Sequence, residues 1–77
     1  MNYLKSYRKT MEVPQYQLAK KLGVSQQFIC RVENNEVQVS VSRAVDIGRV
    51  LQVSPELIFP RLFHVPLETE LARQGIE

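Results

Sequence analysis

The chain has 77 residues, 44% of them hydrophobic and 23% charged, with a net charge of +2 and a single cysteine, Cys30. That length supplies one small domain and hides only ~60% of the unfolded surface, which argues against a large catalytic cleft. The composition is that of an ordinary globular protein, and one cysteine excludes an intrachain disulfide framework or a cysteine-based zinc cluster.

In chain order, Leu4, Tyr7 and Met11 recur at spacings of three and four, which predicts one apolar stripe on a helix over 2–11, with Asn2 as its cap. Val13-Pro14 interrupts it, because a residue before proline leaves the α region. Pro14 suits the first turn of a second helix. This helix, over 14–22, buries Leu18, Ala19 and Leu22, directs Gln15, Lys20 and Lys21 outward, and stops at Gly23.

Ser25 is a good N-cap for a third helix over 26–34. Successive side chains turn by about 100°. Phe28, Ile29 and Val32 therefore fall within one arc, and Gln26, Gln27, Cys30, Arg31 and Asn34 within the opposite one. Asn34-Asn35 ends this helix, since Asn tolerates the left-handed conformation.

Residues 36–39 read as a loop. Ser40 caps a fourth helix, 41–52, with Val41, Ala44, Val45, Ile47, Gly48 and Leu51 inward. Ser54-Pro55 opens a fifth helix near 55–59. Pro60 and Pro66 punctuate an apolar stretch, and 67–74 form a short possible helix.

Charge is divided unevenly along this order. Residues 1–31 hold six Lys and Arg against Glu12 alone, a balance of +5; residues 32–77 hold four Arg against seven acids. The basic half suits a polyanionic partner, although Lys-rich solvated helices also look like this. Two short helices joined by Gly23-Val24-Ser25, the second polar on its outer face, form a helix-turn-helix pattern. A Gln reaches two groups on the adenine edge, and an Arg does the same on guanine. Turn, face and charge together point to double-stranded DNA read in the major groove, rather than to a bundle with a polar surface helix.

The stretch from Gln15 to Asn34, QYQLAKKLGVSQQFICRVEN, with Ser40, Ile47, Leu51, Val53, Ser54 and Leu57-Ile58-Phe59 after it, resembles the phage Cro/repressor (XRE) family of helix-turn-helix regulators over residues 4–59. The resemblance implies an all-α, five-helix, lambda-repressor-like DNA-binding domain over 1–59. Residues 60–77 are then a C-terminal extension and a candidate dimerisation segment, or else a tail folded back on its own domain. It implies base contacts from Gln26, Gln27 and Arg31; Cys30, on the same outward arc, is expected to be a further small base contact. Phosphate contacts are expected from Gln15, Tyr16, Lys20, Lys21, Asn34 and Arg43. It further implies a structural ion pair between Arg8 and Glu33. Gln15 looks like the family's glutamine that both holds a phosphate and braces the next helix.

Three positions depart from the family pattern. Pro14 stands where Thr or Ser is usual, Asn35 where Gly is usual, and Glu36 where Lys or Arg is common. Glu36 counts against phosphate binding by the 34–39 loop. Together with the apolar tail it motivates a second reading, a protein-interaction module such as an antitoxin or antirepressor.

No paired acid and base, nucleophile triad, phosphate-cradling glycine loop or metal set is present in the sequence, so neither catalysis nor a cofactor or small-molecule substrate is expected. His64 has no companion at ligand spacing. No apolar run reaches the ~18 residues of a membrane span, and the basic N-terminus lacks the apolar core of a secretory signal. A cytoplasmic, homodimeric, sequence-specific regulator is the expectation, a repressor where its operator overlaps a promoter; activation through polymerase contact would use the same fold, and the sequence does not separate the two.

Overall fold

A computed structural model describes residues 1–63, and the possible helix over 67–74, His64 and most of the C-terminal extension lie outside the described residues. The described residues form α1 (Leu4–Thr10), α2 (Gln15–Leu22), α3 (Gln26–Glu33), α4 (Val41–Leu51), α5 (Pro55–Ile58) and α6 (Pro60–Phe63), with no strand among them. The fold class is all-α.

Most helix starts follow local chemistry. Asn2 Oδ1 accepts from the Leu4 amide at 3.0 Å, Ser25 Oγ from Phe28 at 3.0 Å and Ser40 Oγ from Arg43 at 3.1 Å. Each satisfies one of the first-turn amides that have no intrahelical partner. Pro14, expected as the first residue of the second helix, lies one position before it, at the N-cap of α2 with extended backbone. Its carbonyl accepts from Gln17 and Leu18. Ser54 makes no side-chain cap bond, and Pro55 opens α5.

Helix ends are less uniform. Gly23 takes a left-handed φ of 72° and Asn35 one of 61°, as their sequence positions predict, but so do Glu12 and Gln52, with φ near 60°. At all four, the residue's own amide and the next one reach back to the preceding turn's carbonyls, which closes the helix with a Schellman-type pair of bonds.

The core is one cluster of Leu4, Leu18, Ala19, Ile29, Val32, Val39, Ala44, Ile47, Leu51, Ile58 and Phe59. Three sequence expectations change. Met11 is exposed because α1 ends before it; Arg8, one turn after Leu4, is the residue that continues the inward stripe. Val41 is 50% exposed because it occupies the first position of α4, ahead of the turn that packs. Pro60 does not merely interrupt the chain: at a first helical position its fixed φ starts the extra turn α6, so a sixth short helix joins the five expected. The Tyr3 amide, bonded to the Ile58 carbonyl at 2.8 Å, ties the N-terminal segment to α5.

Candidate nucleic-acid interface

α2 and α3 pack on one another across the turn at 23–25. Ile29 and Val32 are fully inside, and Phe28 packs partly buried against the same core. The opposite face of α3 carries Gln26, Gln27, Cys30, Arg31 and Asn34, all exposed. One helix therefore has an anchored face and a free face of hydrogen-bonding groups. Asn34 Nδ2 lies 3.6 Å from Cys30 Sγ, a weak contact along that free face.

Both ends of α3 are held by a chain of polar side chains. Arg8 Nε donates to Glu33 Oε2 at 2.6 Å, with the two side chains only 10% and 3% exposed. Arg8 Nη1 donates to the Val13 carbonyl at 3.0 Å. Gln15 Nε2 donates to Glu33 Oε1 at 2.9 Å, and Gln26 Nε2 donates to Gln15 Oε1 at 3.3 Å. Gln15 is consequently half-buried rather than directed wholly outward. Its amide orientation is fixed by the carboxylate on one side, which leaves the carbonyl facing Gln26. A buried charge pair is tolerated when its remaining donors and acceptors are satisfied. The described residues contain no buried side-chain nitrogen or oxygen without a partner.

Lys20 and Lys21 occupy the last turn of α2 and Arg31 the last turn of α3, where cations suit the negative helix end. Tyr16 is 63% exposed in the first turn of α2. Arg43 is placed differently from the other cations. Half-buried at the start of α4, it donates from Nη1 to the Leu22 carbonyl at 3.3 Å and lies over the Phe28 ring. Glu36 is exposed just after α3.

Sequence reasoning missed the contacts that Arg43 and Asn2 make with α3 and its end. Asn2, expected only to cap α1, also donates from Nδ2 to the Val32 carbonyl at 2.8 Å and to Asn35 Oδ1 at 3.1 Å. No local signal announces it, because the partners lie 30 and 33 residues away. Among the described residues, no group of three or more His, Cys, Asp or Glu is placed to hold a metal ion, and no helix is long and apolar enough to cross a membrane.

The sequence model of the helix-turn-helix family matches residues 4–58. A protein of Methanocaldococcus jannaschii named as an uncharacterized HTH-type transcriptional regulator is 41% identical over 58 residues, which cover 75% of this chain and 88% of that protein. With the matched span running from α1 to the end of α5, and the two helices and their turn in place within it, the chain belongs to the helix-turn-helix family, of the Cro/repressor (XRE) type that its sequence resembles.

Proposed function

We propose that the chain is a sequence-specific DNA-binding transcriptional regulator that works in the cytoplasm as a repressor, binding operator DNA as a homodimer. The observation that carries this reading is the free row on α3, Gln26, Gln27, Cys30, Arg31 and Asn34, on a helix whose other face is locked into the core. An α-helix fits a major groove about 12 Å wide. In that position Gln26 and Gln27 address adenine edges, Arg31 addresses guanine, and Cys30 makes close apolar contact. Gln15, Tyr16, Lys20, Lys21 and Asn34 hold phosphates around them. The helix acts by occupancy and no bond is made or broken.

Two-fold binding is supported by a mostly apolar groove between α1 and α5, lined by Tyr3, Ser6, Tyr7, Glu56, Leu57 and Pro60, with Tyr3 and Leu57 exposed. One module of this size covers few base pairs, and helix-turn-helix proteins gain specificity by placing two on half-sites ~34 Å apart.

The test is selection of bound duplexes from a random pool, followed by gel shifts with the selected and an unrelated duplex. A palindromic consensus is the expected result. If about six phosphates are neutralised, raising salt from about 50 to about 200 mM weakens binding by ~10³-fold or more. Absence of binding at low salt, by protein with intact helical signal, turns the assignment to the partner-protein reading, for which the exposed Glu36 is the motivating observation.

A further inference from the structure

We infer that Arg43, which lies outside the two helices and their turn, sets the angle between α2 and α3, and that on the DNA-binding reading above it serves base discrimination as a positioning residue and not as a phosphate contact.

Gly23, at the hinge, is left-handed, and a Cβ built on it would meet nothing within 4 Å, so that residue itself braces neither helix. Val24 packs on the core, and Gln15 at the start of α2 ties that end to α3 through Glu33 and Gln26. The end of α2 needs a tie of its own. Leu22 is the last residue of α2, and Phe28 lies in the first turn of α3. Arg43 touches both. Its Nη1 donates to the Leu22 carbonyl at 3.3 Å, and its guanidinium carbon lies 5.9 Å from the centre of the Phe28 ring.

The chemistry suits each contact. The final carbonyls of a helix lack intrahelical partners and favour a cation. An aromatic face attracts a guanidinium within about 6 Å. The foot of the side chain is itself fixed, because the Arg43 amide donates to Ser40 Oγ at 3.1 Å in the cap of α4. One cation thus joins both arms of the motif to a third helix. Base-edge contacts demand placement of the reading side chains within roughly 0.5 Å; phosphate contacts are more forgiving. A loosened angle therefore loses affinity for the preferred duplex before it loses affinity for DNA in general.

The test compares wild type with Arg43→Met, which keeps the apolar stem, and Arg43→Lys, which keeps the charge without the planar group. Each is titrated with the selected duplex and an unrelated duplex across a salt series. Arg43→Met is expected to narrow the ratio of the two affinities about tenfold, the scale of one lost bidentate base contact, with the salt slope unchanged; Arg43→Lys narrows it less. A slope reduced by ~0.9 with the ratio intact identifies a phosphate contact and overturns the inference.

Amide hydrogen exchange on the free protein supplies an arm that needs no DNA. Exchange at Ile29 and Cys30 is expected to quicken several-fold in Arg43→Met while Leu4 and Arg8 in α1 hold their protection. Phe28→Leu, which keeps apolar bulk but removes the ring face, is expected to quicken the same amides, with Arg43→Met adding nothing further in the double variant. Unchanged exchange sinks the inference whatever the DNA titrations give. Quickened exchange in a chain that binds no duplex upholds the strut and discards the DNA reading instead.

Discussion

Glu33 closes α3 with its carboxylate shared between Arg8, at 2.6 Å, and Gln15, at 2.9 Å. Both oxygens are used, and Gln15 passes the constraint on to Gln26 through a bond of 3.3 Å. A single buried carboxylate thereby links α1, the start of α2 and the exposed row of α3. Removing one partner leaves the other charge buried and alone. Arg8→Met or Glu33→Leu is expected to cost about 3–5 kcal/mol, a large share of the stability of so small a domain. The double variant Arg8→Met/Glu33→Leu is expected to be less destabilised than the sum of the two single changes. Urea denaturation of the four proteins checks both statements, and simple additivity would sink the account of a coupled pair.

Gly48 lies inside α4, where glycine is ordinarily about 1 kcal/mol worse than alanine. Here propensity is overridden by a close approach. A Cβ at this position meets the Val53 carbonyl oxygen at 2.6 Å and Pro55 Cδ at 3.2 Å. The same chain reversal is fixed from the other side, since the Val53 amide donates to the Gly48 carbonyl at 3.0 Å. Overpacking against backbone costs typically ~1–3 kcal/mol, so Gly48→Ala is expected to lose a net ~1 kcal/mol or more. Equal or higher stability in denaturant would show that the α4–α5 turn relaxes freely.

Gln52 presents the opposite case. It closes α4 with φ 59°, is exposed, and carries a Cβ into a backbone region that suits glycine. The left-handed penalty is about 1–2 kcal/mol, partly offset in any glycine variant by a more flexible unfolded chain. Gln52→Gly is therefore expected to stabilise by about 0.5–1 kcal/mol, read as a rise of several degrees in melting temperature. Glu12→Gly, at φ 58° after α1, is the parallel case.

These positions also show what the sequence discloses. Ser25, Ser40 and Gly23 mark boundaries through chemistry that lies within three residues of the marker, and those boundaries are legible. Glu12 and Gln52 perform Gly23's task without its signature, so the ends they make cannot be placed from residue type. The exposed row of α3 follows from rotation along the helix alone. Arg43 and Asn2 are another matter. Each reaches a carbonyl 21 or 30 residues away, and nothing in a local pattern separates an arginine braced on Phe28 from one lying on the surface. Gln15 shows a limit of periodicity: its angle on α2 suggests solvent, while the resemblance to the Cro/repressor family suggests the bracing role in which it is bonded to Glu33 and Gln26.

The reading of DNA proposed for α3 separates recognition from attachment, and two exposed cations make that separation measurable. Arg31 lies on the free face of α3 with Gln27 and Cys30, whereas Lys20 lies at the end of α2. Arg31→Ala is expected to cost about 1–3 kcal/mol on the selected duplex and to relax preference at one base pair. Lys20→Ala is expected to weaken every duplex alike and to lower the salt slope by about 1. The contrast is sharper than either value, because general electrostatics predicts the same response from both side chains. Titration of both variants against the selected duplex and its single-base substitutions checks it. If Arg31→Ala weakens all duplexes uniformly, as Lys20→Ala does, Arg31 holds the backbone and base discrimination by α3 must rest on Gln26 and Gln27.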